Sequence, residues 1–247
     1  MSNDEVWHDV SLSQTMSAQI KYWYLHEHQL FSKLSFSEID ALCILKKFKK
    51  SQKNELLDLP FSEKERIYFL KQGAIKLIRI DEQGEEVLVD ILQKNDLFGN
   101  LNLEATGEGN EYFKVVSDEA ILCTFYREKL EEVMVKKPDF ALSYIKFIGL
   151  NFKKVQNSYK NILFKDARTR LLLLLQMIMD KEGVDTKAYA LPNYLTQKDI
   201  AQLICTTRQT IITLFKELEN EGMLQYSQKE IFIPDVQKIR NLVGNVK

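Results

Sequence analysis

The most constraining feature of this chain lies near its end, in residues 195–222. Thr196-Gln197-Lys198-Asp199 sets a good N-cap residue three positions before a carboxylate. That pattern opens a helix by satisfying its first free N–H groups. Ile200, Leu203 and Ile204 give this helix one apolar side. Cys205-Thr206-Thr207 is then a short turn, and a second helix starts near Arg208. Its apolar stripe runs through Ile211, Leu214, Phe215 and Leu218, and Gly222 is a fitting C-terminal stop. Two short helices with matching stripes and a tight turn make a helix-turn-helix. Met223–Tyr226, a polar Ser227-Gln228-Lys229 and Ile231–Ile233 follow as a two-stranded wing.

The polar side of the second helix narrows the chemistry. Arg208, Gln209, Thr210 and Thr213 gather towards its start. An arginine fork matches guanine O6 and N7, and a glutamine amide matches adenine N6 and N7. Thr196, Thr206 and Thr207, with the free N–H groups nearby, suit phosphate oxygens, and Lys229 at the wing tip adds a cation. The expected partner is double-stranded DNA. A helical hairpin that only mediates protein contacts is the alternative; such a surface favours exposed apolar residues over Arg208-Gln209-Thr210. The net charge of −1 looks unhelpful to a DNA binder, but its distribution is uneven. Residues 151–247 carry 15 Lys+Arg against 10 Asp+Glu, and the preceding residues 19 against 25. A basic half joined to an acidic half fits one domain that meets phosphate and one that does not.

Upstream, Pro138 to about Phe164 holds Ala141, Ile145, Ile148, Phe152, Val155, Tyr159 and Ile162 at alternating spacings of four and three. This heptad seam predicts a long helix that pairs with its copy in a homodimer, or else packs on its own domain. A further helix, Asp166 to Asp180, carries the apolar block Leu171–Leu175 and ends at Gly183. Residues 51–125 read as strands: Ile67–Leu70, Ala74–Ile80, Val87–Leu92, Phe113–Val116 and Ala120–Phe125. Asp81–Gly84 and Asn95–Gly99 read as turns between them. Residues 16–50 read as helical with breaks, with Leu42, Leu45 and Phe48 at helical spacing.

Composition removes other classes. No run of about 18 apolar residues is present, so no membrane partner is expected. The acidic start, with Asp4, Glu5 and Asp9, is unlike a secretory signal, which predicts the cytoplasm. Cys43, Cys123 and Cys205 are far apart and read as free, mostly buried thiols. No nucleophile elbow, phosphate loop, zinc-protease motif or dinucleotide loop occurs, so the chain is not expected to be an enzyme.

The segments Leu195–Leu203, Thr207–Ile211, Leu218-Glu219 and Glu221-Gly222 resemble the DNA-binding end of the cyclic-AMP receptor protein / fumarate–nitrate reduction regulator family. Gln72–Leu77, the Asp81–Glu86 turn and Asp96-Leu97-Phe98-Gly99 resemble its effector domain in the expected order. The resemblance implies an α+β chain: an extension over residues 1–27, a cyclic-nucleotide-binding-type β-roll over 28–137, a dimerisation helix over 138–164 and a winged helix over 165–247. It also implies a DNA-binding transcription regulator, with RNA polymerase as a further candidate partner. A (pseudo)palindromic operator is expected, since a two-fold dimer presents two recognition helices about one DNA turn apart.

The departures bear on mechanism. Family members that bind cyclic nucleotide follow Phe-Gly with a Glu for the ribose and later supply an Arg for the cyclic phosphate. Here Phe98, Gly99, Asn100 and Leu101 are the effector-pocket candidates, with Asn100 in place of the Glu. Glu108-Gly109-Asn110-Glu111-Tyr112-Phe113 stands where the Arg is expected. A cyclic phosphate there meets carboxylates without a bidentate partner. The expectation is therefore no cofactor and an effector other than cyclic AMP or cyclic GMP; a cyclic-AMP-type regulator is the alternative. An iron–sulfur sensor needs an N-terminal cysteine cluster, whereas only Cys43 lies in the first 100 residues. His26 and His28 form an H-x-H pair with no further ligand cluster, so no metal is expected. The best-known members place Arg, Glu and Arg where this chain has Arg208, Gln209 and Thr213, which predicts an altered half-site.

Overall fold

A computed structural model describes residues 19–44, 48–57, 66–99 and 110–244. Asn100, Leu101 and the Glu108-Gly109 pair therefore lie outside the described residues, as does Leu45. The described residues begin with a helical stretch over residues 19–26 (α1) and α2 (Phe36–Leu42). Eight strands follow: β1 (Lys49–Gln52), β2 (Leu56–Leu57), β3 (Arg66–Gln72), β4 (Ile75–Ile80), β5 (Glu86–Leu92), β6 (Leu97–Gly99), β7 (Glu111–Val115) and β8 (Glu119–Tyr126). Then come α3 (Arg127–Lys136), α4 (Pro138–Phe164), α5 (Ala167–Glu182) and β9 (Tyr189–Pro192). The chain closes with α6 (Gln197–Leu203), α7 (Arg208–Asn220), β10 (Gln225–Tyr226), β11 (Glu230–Ile233) and α8 (Val236–Gly244). The architecture is mixed α and β, with a β-rich N-terminal part and a helix-turn-helix at the C-terminal end.

The described residues form two compact units, one from Met1–Gly73 and Asn95–Lys154, the other from Ala74–Lys94 and Val155–Lys247. In the first, an antiparallel sheet runs β1-β8-β3-β6, and β2 pairs with β7. β3 is apolar on consecutive residues, Ile67-Tyr68-Phe69-Leu70, all buried, as a strand covered on both faces must be. One face receives Leu25 of α1, Leu30, Phe31, Leu34, Ile39 of α2 and Phe140 of α4. Phe31 lies at the centre, with ring centroids 5.5 Å from both Phe69 and Phe125 and 6.4 Å from Phe140.

Two expectations fail in this unit. Asn95–Gly99, read as a turn, forms β6 over its last three residues, since Leu97–Gly99 pairs with Ile67–Phe69. The helical reading through Phe48 also fails: α2 stops at Leu42, Cys43 turns extended to bridge Phe125, and Phe48 precedes β1. In both places cross-strand pairing overrides the local spacing.

In the second unit β4 and β5 form a hairpin whose turn is fixed locally. The Asp81 carboxylate accepts from the Gln83 and Glu85 N–H groups, both at 2.9 Å, and Gly84 takes φ 84°. α5 is capped by Asp166, which accepts from the Thr169 N–H at 2.7 Å, and ends at Gly183 with φ 69°. α5 packs on α8, and Arg240 ties the two by bonding Asp180 at 3.0 Å and the Val184 carbonyl at 2.8 Å. The wing is a three-stranded sheet, β10-β11-β9, not a two-stranded one. β9 joins from the sequence before the helix-turn-helix, through register pairs from Ile233–Tyr189 to Glu230–Pro192.

Arg170 on α5 positions the functional end. Its guanidinium donates to the Lys165 carbonyl at 2.7 Å and the Ile162 carbonyl at 3.4 Å, at the end of α4. It also donates to the Ile204 carbonyl at 2.8 Å and the Cys205 carbonyl at 3.2 Å, in the turn after α6. One cation thus caps α4, where the helix dipole favours positive charge, and holds the turn. Arg170→Ala is expected to lower stability by about 2 kcal/mol, the scale of hydrogen bonds to a charged donor. Arg170→Lys should recover little of that, because one ammonium cannot span both sets of carbonyls. Urea melts of the three proteins decide it, and equal midpoints would remove the bridging role.

His28 gives the first unit a pH dependence. Its ring packs 4.9 Å from Phe69 and 6.0 Å from Phe147, and burial holds its pKa below the ordinary 6.5 despite the nearby Asp96. The unfolded chain takes up that proton at a higher pH than the folded one. The stability associated with neutral His28 is therefore present above pH 6.5 and is lost as pH falls below it. His28→Gln should flatten the decline in melting temperature between about pH 7.5 and 5.5; an unchanged decline would assign it to other groups.

Candidate nucleic-acid interface

α6 begins with a full capping box. Thr196 Oγ1 accepts from the Asp199 N–H at 3.1 Å, and the Asp199 carboxylate accepts from the Thr196 N–H at 2.6 Å. Ile200 and Ile204 are buried beneath. Cys205 turns the chain with φ 53°, an uncommon value for a non-glycine residue, while the Thr206 N–H donates to the Ala201 carbonyl at 2.9 Å. Thr207 then caps α7, its hydroxyl accepting from the Thr210 N–H at 3.1 Å and lying 2.8 Å from the Thr210 hydroxyl.

Ile211, Leu214, Phe215 and Leu218 bury one face of α7. Arg208, Gln209, Thr213 and Lys216 are exposed on its other side. The acidic far end is engaged elsewhere. Glu221 takes both arms of the Arg168 guanidinium, which pulls its pKa below the usual carboxylate range. Glu219 accepts from the Tyr226 N–H at 2.8 Å. Tyr226 also stacks on Phe215, centroids 4.4 Å apart, which seats the wing against α7. The open end of α7 therefore presents Arg208 and Gln209 together with first-turn N–H groups and the positive end of the helix dipole.

A cleft of about 620 Å³ opens between α6, the start of α7 and the wing. Thr196, Gln197 and Lys198 line one side, Arg208 another, and Tyr226 with Gln228 the wing side. The structure thus brings Thr196 and Arg208 to one concave surface. Thr206, Thr207, Gln209 and Thr210 cluster at the adjoining turn and helix start. Lys229 is exposed on the wing, its carbonyl held by the Asn193 N–H at 2.9 Å. Sequence reasoning missed Lys198, Gln197 and Gln228 as members of the surface. Lys198 had a signal, since a cation at the second position of α6 lies beside the capping Thr196.

α6 is also held from behind by the β4–β5 hairpin. Lys76 Nζ lies 2.6 Å from the Asp199 carboxylate with both side chains largely buried, and the Leu88 N–H donates to Gln202 Oε1 at 3.1 Å. In the first unit Phe98 is buried between Tyr68, 5.2 Å away and stacked, and Phe113 at 4.8 Å. Gly99 takes φ 100° hard against the Arg66 carbonyl, where any Cβ would collide. Among the described residues no group of three His, Cys, Asp or Glu could hold a metal, and no helix is long and apolar enough to cross a membrane.

α4 carries two apolar stripes. Phe140, Tyr144 and Phe147 pack into the first unit. The heptad seam is turned away: Ile145 is 64% exposed, Phe152 61%, Val155 65% and Tyr159 62%, with Ile148 and Ile162 also exposed.

Comparison with known proteins agrees with this arrangement. Residues 169–242 match the family model of the Crp-like helix-turn-helix domain, and residues 51–137 that of the cyclic nucleotide-binding domain. The chain is 25% identical over 184 residues to a global nitrogen regulator of Nostoc sp., covering 74% of this chain and 82% of that one. It is 24% identical over 179 residues to a CRP-like cAMP-activated global transcriptional regulator of Mycobacterium tuberculosis, covering 71% and 78%. Among solved structures, a CooA mutant from Carboxydothermus hydrogenoformans shares the fold at a TM-score of 0.61 and 20% identity, over 87% of this chain and 94% of that one. With both family models matched in order, the chain belongs to the cyclic-AMP receptor protein / fumarate–nitrate reduction regulator family of DNA-binding transcription regulators.

Proposed function

We propose that this regulator acts in the cytoplasm as a homodimer and reads a (pseudo)palindromic operator with the N-terminal end of α7. The observation that carries the reading is the concave surface on which Arg208 stands exposed beside Lys198, Thr196 and the wing. Arg208 and Gln209 supply base contacts, and Thr213 lies one turn further along α7. Thr196, Thr206, Thr207, Thr210 and Lys229 supply phosphate contacts. The exposed seam from Ile145 to Ile162 supplies the dimer interface, since a stripe of this length is costly to leave in water.

The reading extends to control. Lys76 and Gln202 give the β4–β5 hairpin a direct hold on α6, so a shift of the hairpin biases the recognition helix that α6 supports. The effector is a small molecule other than a cyclic nucleotide, because the segment Glu108–Phe113 offers carboxylates and no cation to a cyclic phosphate. RNA polymerase is a further partner in this reading.

Selection of duplex DNA from a random pool by the purified protein tests the reading. An inverted repeat is the expected product, and recovery of no motif with or without cell extract would overturn it. Arg208→Ala should cost about 1–3 kcal/mol and relax preference at one base position in each half-site. Unchanged affinity and preference would reassign the recognition element. Phe152→Asp places a charge in the seam and should give a monomer by light scattering, with operator affinity falling sharply. A persistent dimer would place the interface elsewhere.

A further inference from the structure

Two cysteines meet inside the first unit although 80 positions separate them in sequence. Cys43 follows α2 in extended backbone and forms an isolated antiparallel bridge with Phe125. The Ile44 N–H reinforces it on the Thr124 carbonyl at 2.9 Å. Cys123 stands two residues before Phe125 on β8, and residues two apart on a strand share a face. The two side chains are thereby aimed at the same place, with their sulfurs 3.1 Å apart. Cys123 is buried, whereas Cys43 keeps partial exposure. Lys21 of α1, itself 1% exposed, lies near Cys43 and favours its thiolate.

We propose that Cys43 and Cys123 form a reversible dithiol–disulfide site oxidised by hydroperoxide, with Cys43 the attacking thiol and Cys123 the resolving one. The asymmetry of the pair supports these roles. The Cys123 S–H and the Lys21 ammonium pull the Cys43 pKa down against the opposing effects of burial and Asp40. Burial pushes that of Cys123 well up. The thiolate therefore forms on the sulfur that solvent reaches, which is the condition for selective oxidation.

The Cys43 thiolate attacks one peroxide oxygen, the O–O bond breaks, and the sulfur becomes a sulfenic acid. The released hydroxide takes up the proton that Cys43 gave up and leaves as water. Cys123 then attacks the sulfenic sulfur. The S–S bond forms, the S–O bond breaks, and the departing hydroxide takes the Cys123 proton as a second water. Two thiols are oxidised by two electrons and one peroxide is reduced to two waters. The sulfurs need to close from 3.1 Å to about 2.05 Å, a shift within reach of side-chain rotation. The product ties the end of α2 to the middle of β8.

The full chain, reduced and then treated with graded hydrogen peroxide, is quenched with maleimide under denaturing conditions and mapped without reductant. The expected product is one intramolecular cross-link joining the Cys43 and Cys123 peptides. Labelling of both should fall by about tenfold and return with dithiothreitol, as thiol–disulfide exchange requires. Cys205, exposed in the other unit, serves as the internal reference. In Cys123→Ser, Cys43 should accumulate as a sulfenic acid trapped by dimedone; in Cys43→Ser, Cys123 should stay fully labelled. Full labelling of Cys43 and Cys123 at peroxide levels that oxidise Cys205 would overturn the proposal. So would cross-links that run only through Cys205. Should either serine variant fail to fold, the map of the unaltered chain decides alone.

Discussion

The functional half of this protein hangs on one guanidinium. Arg170 bonds backbone carbonyls, two at the end of α4 and two in the turn after α6. Carbonyls at a helix end and in a tight turn lack partners of their own, and a planar five-donor group is the side chain able to serve both at once. The same contact fixes where the turn begins and so where α7 starts. Arg168, two residues earlier, closes the other end by gripping Glu221 at the far end of α7. Two arginines of one α5 turn thus set both ends of α7.

Asp199 has a comparable double load. It completes the capping box of α6 and also receives Lys76 from the hairpin. A carboxylate that caps a helix is already oriented by two local bonds, so a lysine meeting it finds a fixed target. The hairpin is therefore held by a group whose geometry belongs to the helix-turn-helix.

What was legible in the sequence follows from the range of the signals. α6, α7 and their turn are written in residues close together: Thr196 with Asp199, Thr207 with Thr210, an apolar stripe, and Gly222 taking φ 65°. The bounds of α4 were equally plain, because its heptads repeat without interruption. β6, β9 and α8 were not. Leu97-Phe98-Gly99 is a strand only because Ile67–Phe69 lies beside it, and Tyr-Ala-Leu-Pro has neither length nor alternation. Pro192 is tolerated there because β9 is an edge strand of the three-stranded sheet. The Cys43–Cys123 approach was invisible for the same reason, since no spacing rule reports contact across 80 residues. Of the candidate DNA surface, Thr196, the turn and the start of α7 were legible, whereas Gln197 and Lys198 of α6 were passed over and Gln228 joined only through the fold of the wing.

The place of β9 has a consequence for the modularity of the domain. The sheet that carries the wing is completed by residues that precede the helix-turn-helix, with Ile233 registered on Tyr189 and Glu230 on Pro192. The helix-turn-helix with its wing is therefore not a cassette bounded by Thr196 and Ile233. Transplanting that stretch into another scaffold leaves β11 with a bare edge, and with it an open invitation to pair with a foreign strand. Recombination that respects this protein has to cut before β9, so the inheritance of DNA specificity is bound to the inheritance of its upstream neighbour.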